Sequence, residues 1–450
     1  MKLFGTDGVR GVANSELTVE LAMQIGRCAA SVLSNGSDHR PVVAIGTDTR
    51  ASADMLTSAI AAGVCSMGAN VLLLGVVTTP AIAFLLEKLN ADAGIMISAS
   101  HNSAEFNGIK IFSKSGYKLP EMLEEQIEDL IEKGDDVTKR PIGGEVGTIR
   151  QIENASRQYI DHIKNSIDSD LSGLNIAIDC ANGSASATAR TLFSELGASI
   201  FVLSDSPDGV NINKDCGSTH TEALAKFVVE NHLDCGVAFD GDADRCLCVD
   251  ENGELIDGDK IMAICSLDMK QRGILNKNTV VGTIMSNFGF SKFCEENDID
   301  FVATKVGDRF VLEEMLQNGY SLGGEQSGHV IFREYATTGD GQLTSVQLLS
   351  LLKRSGKKLS ELASVMKRYP QSMINVKISK QGKLKFYTDA EVLRAINKAE
   401  KELSGSGRLV VRPSGTEPLL RVMVESLDAD QADRVAKEVA EVIVNRLGNV

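Results

Sequence analysis

An α/β fold, with three related mixed-sheet α/β domains followed by a C-terminal α+β domain, is what this sequence predicts. Two observations carry that expectation: a strand–loop–helix–strand order that recurs three times, and a change of pattern after Tyr369-Pro370. In the first copy an apolar strand at 42–46 runs into the polar turn Thr47-Asp48-Thr49-Arg50, then a helical run, Gly68-Ala69-Asn70 and a second strand at 71–74. The second copy has a strand at 175–179, Asn182-Gly183, a helix, Gly197-Ala198 and a strand at 200–203. A third, looser copy runs from the strand at 279–282 through Asn287-Phe288-Gly289 to a strand at 299–302. Strand, loop, helix, strand is the βαβ unit of parallel sheet. The tail instead reads as strand 372–378, helix 390–403, strands 408–412 and 419–425, and a long amphipathic helix 429–447, which is α+β. Polar stretches at 134–147, at 251–259 and around Tyr369 read as linkers, giving domains 1–150, 151–253, 254–368 and 369–450.

Composition narrows the function. With 450 residues, 43% hydrophobic and 24% charged, the chain can bury several cores. Its formal charge of −15 repels nucleic acid and anionic membrane, and both are excluded as partners. No apolar run is long enough to span a bilayer, and the N-terminus has no signal-peptide core. Nine cysteines without a CxxC pair form neither a disulfide framework nor a zinc site, which implies a reducing, cytoplasmic setting. Cys246 and Cys248 alternate in a strand-like run and read as two buried small residues.

Five short motifs hold the chemistry. Asp240-Gly241-Asp242-Ala243-Asp244-Arg245 follows an apolar strand at 235–239. Three carboxylates at alternate positions of a tight turn repel one another unless a hard divalent cation sits among them. Arg245 stands where an EF-hand loop needs glycine, so that alternative is rejected. Ser98-Ala99-Ser100-His101-Asn102, after the strand at 93–97 and ahead of Lys110, offers a serine nucleophile with a base at hand, although most Ser-His neighbours are ordinary loop residues. Arg412-Pro413-Ser414-Gly415-Thr416, with Arg421 beyond, gathers guanidinium groups, hydroxyls and a glycine turn, as a phosphate dianion requires. Gly324-Glu325-Gln326-Ser327-Gly328-His329 is a polar cluster able to face sugar hydroxyls, though by itself a polar turn, and Arg10 within Gly5-Thr6-Asp7-Gly8-Val9-Arg10-Gly11 could form a second anion contact, though alone that segment reads as an N-terminal turn.

Together and in this order, the five motifs resemble the α-D-phosphohexomutase superfamily, over essentially the whole chain. The resemblance implies four domains around a central cleft, each giving one loop. It implies that Ser100 carries a phosphoryl group and that Asp240, Asp242 and Asp244 hold Mg²⁺ with a phosphoserine oxygen of Ser100. It further implies that Glu325, Ser327 and His329, with Gln326 between them, grip the sugar, and that Arg412, Ser414, Gly415 and Thr416 hold the phosphate that does not react. Val306-Gly307-Asp308-Arg309 also matches an element of the family's third domain. Opening on Phe4-Gly5-Thr6-Asp7-Gly8-Val9-Arg10-Gly11 and having Gln326 in the sugar motif resembles the branch that acts on glucosamine phosphates. Two departures stand out: Ser103 where the family commonly has proline, which predicts a less rigid loop, and Ala53 where it commonly has glycine.

The reaction implied is interconversion of glucosamine 6-phosphate and glucosamine 1-phosphate through phosphoserine and a sugar 1,6-bisphosphate, which also serves as activator. Arg245, His101 and Lys110 assist, with Lys110 or His101 as the base. The alternative within the class is a phosphomannomutase/phosphoglucomutase; a phosphatase and a non-catalytic sugar-phosphate binding protein are the rivals outside it. The partner is a small-molecule sugar phosphate, and a homodimer is the association entertained.

Overall fold

The computed structural model describes residues 3–5, 7–33, 39–134, 140–413 and 419–448. Its contacts divide the chain into two compact units, residues 1–285 with 298–365, and residues 286–297 with 366–450.

The first unit holds three mixed sheets. In the first, β1 (Val9–Val12), β2 (Val42–Thr47), β3 (Asn70–Val76), β4 (Ala93–Ile97), β5 (Phe106–Ser113) and β6 (Ile149–Gln151) lie in the order β1-β5-β4-β2-β3-β6. The pairs β4/β2, β2/β3 and β3/β6 are parallel, whereas β5 runs antiparallel to β4. In the second, β7 (Asn175–Asp179), β8 (Ser199–Leu203), β9 (Cys235–Phe239), β10 (Cys246–Asp250) and β11 (Leu255–Ile256) are ordered β11-β10-β9-β7-β8. In the third, β12 (Thr279–Thr283), β13 (Asp300–Thr304), β14 (Leu322–Gly324) and β15 (Val330–Phe332) are ordered β13-β12-β14-β15.

One arrangement recurs in all three. A parallel trio (β3-β2-β4, β8-β7-β9, β13-β12-β14) is extended by one antiparallel strand (β5, β10, β15), and the loop into that strand leaves the carboxyl end of a parallel one. Every residue of β4, β9 and β14 is buried, as expected for parallel strands covered on both faces. The carboxyl ends of such strands are where open α/β sheets place ligands. The three loops so placed are 98–105, 240–245 and 325–329.

The second unit is α+β. Strands β16 (Gln371–Lys377), β17 (Gly407–Pro413) and β18 (Leu419–Ser426) form an antiparallel sheet in the order β16-β18-β17. Helices Ala390–Leu403 and Ala429–Leu447 cover one face through Val422, Val424, Val435, Val439 and Ile443. The helix Phe288–Glu296, which the sequence placed in the third βαβ copy, groups with this unit. Asn287 Nδ2 donates to Glu425 Oε1 and the Phe288 N–H to Glu425 Oε2, each at 3.0 Å, and Arg408 Nη2 donates to the latter oxygen at 2.7 Å.

Two expected linkers are structured. Residues 251–259 contain β11, paired with β10, and Asp257, which caps the helix Gly258–Gln271. Tyr369 is buried, its N–H donating to Asn287 Oδ1.

Candidate active site

The β4–β5 loop presents Ser100. Ser98 Oγ donates to Asp48 Oδ2 (2.6 Å) and accepts the Ser100 N–H (2.9 Å). Ser100 has a left-handed φ of +53°, and its Oγ donates to Asp240 Oδ2 at 2.6 Å. For a residue with a Cβ that conformation costs about 1–2 kcal/mol, and such strain collects at functional positions. The Ser103 carbonyl accepts Arg50 Nη1, which also donates to the Phe106 carbonyl at 2.9 Å.

His101 Nδ1 lies 3.4 Å from Ser100 Oγ and 3.2 Å from Arg245 Nη1. Burial, then the charges of Arg245 and Arg10, push its pKa down to about 4, so the ring is neutral at pH 7. Lys110 on β5 is buried, with Nζ 2.7 Å from Asp242 Oδ2 and 3.2 Å from Asp244 Oδ2. Burial opposes its charge, but Asp242, Asp244 and Asp7 outweigh burial and raise the pKa. Beside the metal-free triad Lys110 is thus held as a cation while the His101 ring is neutral.

Asp240, Asp242 and Asp244 are buried, and each offers a ligand atom within 4.8 Å of the others. Asp240 Oδ2 takes the Ser100 hydroxyl and Oδ1 the Arg245 N–H at 3.2 Å. Asp242 Oδ2 accepts both Lys110 Nζ and Thr79 Oγ1 (2.5 Å), and Asp244 Oδ2 accepts Lys110 Nζ. The Oδ1 atoms of Asp242 and Asp244 are buried without a hydrogen-bond partner. Burial, then Asp244 and Asp242, push the Asp240 pKa up to about 8. Two buried anionic oxygens without hydrogen bonds, only one of them near a cation (Arg245 Nε, 3.8 Å from Asp244 Oδ1), are costly beside a carboxyl whose own charge is suppressed. A hard divalent ion with oxygen ligands fits this donor set.

The β14–β15 loop carries the sugar motif. Glu325 Oε1 accepts the Gly307 N–H at 3.1 Å, and the Ser327 hydroxyl is buried without a partner. Two residues do not face outward as expected. Gln326 Nε2 donates to Asp257 Oδ2 (3.3 Å) while its main-chain carbonyl accepts the Gly258 N–H (3.0 Å), so this position fastens the loop to a helix N-terminus. His329 is 3% exposed; its Nε2 accepts the Gly339 N–H (3.0 Å), which leaves the proton on Nδ1, 3.7 Å from Asp244 Oδ2. His329 thus steadies the acidic loop instead of reaching a sugar hydroxyl.

Arg10 pairs with Asp7 and donates to Asn102 Oδ1 at 3.1 Å, with its Nε buried and unpartnered. In the second unit Arg412 and Arg421 are register partners on β17 and β18. Burial, then the neighbouring Arg421 charge, lower the Arg412 pKa, a penalty that an anion would relieve. Ser414, Gly415 and Thr416 lie outside the described residues.

Several contributors carry no local signal. Thr79, at the start of helix Thr79–Lys88, holds Asp242 through Oγ1 and through its N–H to the Asp242 carbonyl (2.9 Å). Lys118 Nζ bridges Asp7 Oδ1 (2.6 Å) and Asp308 Oδ2 (2.5 Å). Arg50 and Asn213 grip the serine loop. Cys246 and Cys248 are both buried, with Sγ atoms 3.7 Å apart.

Models of the four phosphoglucomutase/phosphomannomutase domains match this chain in order: alpha/beta/alpha domains I, II and III over residues 1–138, 157–253 and 257–369, and the C-terminal domain over 373–442. The chain belongs to the phosphoglucomutase/phosphomannomutase family. Within this family it is 53% identical to a phosphoglucosamine mutase of Acetivibrio thermocellus over 447 residues, covering 99% of this chain and all of that one. It is 52% identical to a phosphoglucosamine mutase of a Thermoanaerobacter species over 446 residues, 99% of each. Solved structures share the fold: a phosphoglucomutase/phosphomannomutase family protein of Burkholderia thailandensis (TM-score 0.80, 21% identity, 99% of this chain and 97% of that one) and the Aspergillus fumigatus N-acetylphosphoglucosamine mutase in complex with GlcNAc-6P and magnesium (TM-score 0.70, 17% identity, 99% and 96%).

Proposed function

We propose that this member of the phosphoglucomutase/phosphomannomutase family is a phosphoglucosamine mutase, interconverting glucosamine 6-phosphate and glucosamine 1-phosphate through a phosphoserine at Ser100. The observation that carries the chemistry is the Ser100 hydroxyl 2.6 Å from Asp240 in a buried triad with two orphaned oxygens. The glucosamine preference is supported by full-length likeness above 50% to phosphoglucosamine mutases.

The phosphoryl group on Ser100 Oγ passes to O1 of glucosamine 6-phosphate. The P–Oγ bond breaks, the P–O1 bond forms, the O1 proton leaves through His101 and Oγ regains a proton. The resulting 1,6-bisphosphate turns within the site, and the phosphoryl group on O6 returns to Oγ by the reverse exchange. Asp240, Asp242 and Asp244 would hold Mg²⁺, which supplies positive charge beside the transferring oxygens. Lys110 and Arg245 add fixed cations there. Glu325 and the unpartnered Ser327 hydroxyl bond sugar hydroxyls, and Arg412 and Arg421 bind the phosphate that is not reacting. A sugar 1,6-bisphosphate primes the enzyme by phosphorylating Ser100.

No helix among the described residues is long and apolar enough to cross a membrane. A chain with nine cysteines and no CxxC pair suits a reducing compartment, which supports a cytoplasmic setting.

The test is an assay with glucosamine, glucose and mannose 6-phosphates and a 1,6-bisphosphate primer. Glucosamine phosphate should lead in kcat/KM by at least about ten-fold. A preference for glucose or mannose phosphate replaces the assignment by the phosphomannomutase/phosphoglucomutase alternative.

A further inference from the structure

Ser100 is held at its backbone from two sides. Its carbonyl accepts Arg50 Nη2 (3.1 Å) and Asn213 Nδ2 (2.9 Å), and the Asn102 carbonyl accepts the same two groups at 2.8 and 2.9 Å. Arg50 belongs to the same domain as the serine and is locked by Asp48, its Nε 2.9 Å from Asp48 Oδ2. Asn213 comes from the other side, on the loop that follows β8 in the sheet bearing the acidic triad. It is 8% exposed, takes a left-handed φ of +58°, and its own N–H donates to the Ala181 carbonyl at 2.9 Å. The crowding is tight: a Cβ on Gly241, inside the triad loop, would come within 2.5 Å of the Ser100 oxygen and 3.0 Å of Asn213 Nδ2.

We infer that Asn213 is a positioning residue for the phosphoryl-carrying serine, its amide clamping the Ser100 and Asn102 carbonyls so that the nucleophile loop is registered against the acidic triad. The inference rests on the phosphoserine reaction proposed above. The donor count fits. One amide nitrogen has two N–H groups, and two carbonyls face it. Arg50 alone ties the loop to its own sheet, whereas Asn213 ties it to the sheet that supplies Asp240. Without it the left-handed Ser100 loses the cross-domain restraint on its peptide, and the Oγ is free to drift from the distance at which transfer occurs.

Asn213→Gly deletes the amide and keeps the left-handed backbone without strain. Hydrogen exchange of segment 98–107 reads the clamp directly, whatever reaction the enzyme performs. The Ser100 and Asn102 amides, bonded to Ser98 Oγ and the Ala99 carbonyl, should exchange at least about ten-fold faster in the variant, with other segments unchanged. In steady state kcat should fall about 10- to 100-fold with KM within about two-fold. Asn213→Asp, which turns acceptor oxygens toward the two carbonyls, should lose at least as much. Unchanged exchange in Asn213→Gly overturns the clamp. Faster exchange with kcat within about two-fold of wild type, or a loss carried by KM alone, overturns the positioning role. A wild type without mutase turnover defeats the reaction reading, while the exchange comparison still decides the clamp.

Discussion

At the scale of single residues, the site is arranged by which oxygen of each carboxylate is already taken. Thr79 and Lys110 occupy Asp242 Oδ2 and leave Oδ1 without a hydrogen bond; Lys110 likewise takes Asp244 Oδ2, and Asp244 Oδ1 has no hydrogen bond but lies 3.8 Å from Arg245 Nε. Asp240 is the member that bears the electrostatic cost, with its pKa pushed up to about 8 by burial and by its two neighbours. In the metal-free protein it therefore holds a proton at pH 7, and a bound cation must displace it. Mg²⁺ titrated into unphosphorylated enzyme at pH 7 should release close to one proton, and affinity should rise with pH up to about 8 and then level. Calorimetry in buffers of different ionisation enthalpy reads the proton; a release indistinguishable from zero would contradict the assignment. A carboxyl with a raised folded pKa binds more protons folded than unfolded, so the metal-free protein should lose stability as pH climbs toward 8. Ser100→Ala removes the only atom proposed to carry the phosphoryl group, and turnover should vanish while circular dichroism is unchanged. Residual turnover near the wild-type rate would sink the phosphoserine mechanism.

Elements place these residues through one repeated device. In each sheet of the first unit the working loop joins a fully buried parallel strand to an antiparallel neighbour. Strands β17 and β18 of the second unit, with Arg412 and Arg421 paired in register, are also antiparallel. A short connection between paired strands has little slack, so a change in its anchoring is transmitted to every group on it. Gln326 is such an anchor: its side-chain amide meets Asp257 and its main-chain carbonyl meets Gly258. Gln326→Met should lower kcat/KM for glucosamine and glucose phosphates alike, by the about 1 kcal/mol of a lost hydrogen bond. Parallel kinetics on both sugars check this, and a loss confined to glucosamine phosphate would make Gln326 a specificity residue after all.

For the molecule as a whole, the first unit is drawn together by buried charge. Lys118 joins Asp7 of the opening motif to Asp308 of the third α/β domain, and nearby Arg309 Nη2 donates to Glu124 Oε1 (2.9 Å) and the Leu119 carbonyl (3.0 Å). Lys118→Met would remove the cation shared by Asp7 and Asp308; because Asp7 keeps Arg10 and neither carboxylate is fully buried, the loss should fall below the about 3–5 kcal/mol of a fully buried pair. The second unit has its own core, around Val422, Val435 and Ile443. The loss should therefore appear in the unfolding of residues 1–285 and 298–365 and leave exchange protection in the second unit unchanged. Equal destabilisation of both units would mean that the chain unfolds as one cooperative body.

What could be read from the sequence alone were features whose cause is local. The apolar strands before Ser98 and Asp240, the helices 390–403 and 429–447, and the alternation of Asp240, Asp242 and Asp244 follow from periodicity and from like-charge repulsion within a few residues. The family resemblance pointed to Ser100 in the same way, through a short contiguous motif. The tertiary structure decided which ordinary polar residues serve that machinery. Thr79 and Asp242 are 163 residues apart, and Asn213 and Ser100 are 113 apart. Neither partner's composition announces the other. The same holds for His329, a plausible sugar ligand by motif, whose burial against Asp244 and Gly339 makes it a support. A hydrogen bond depends on what stands within about 3 Å, and across domain boundaries only the folded chain sets that.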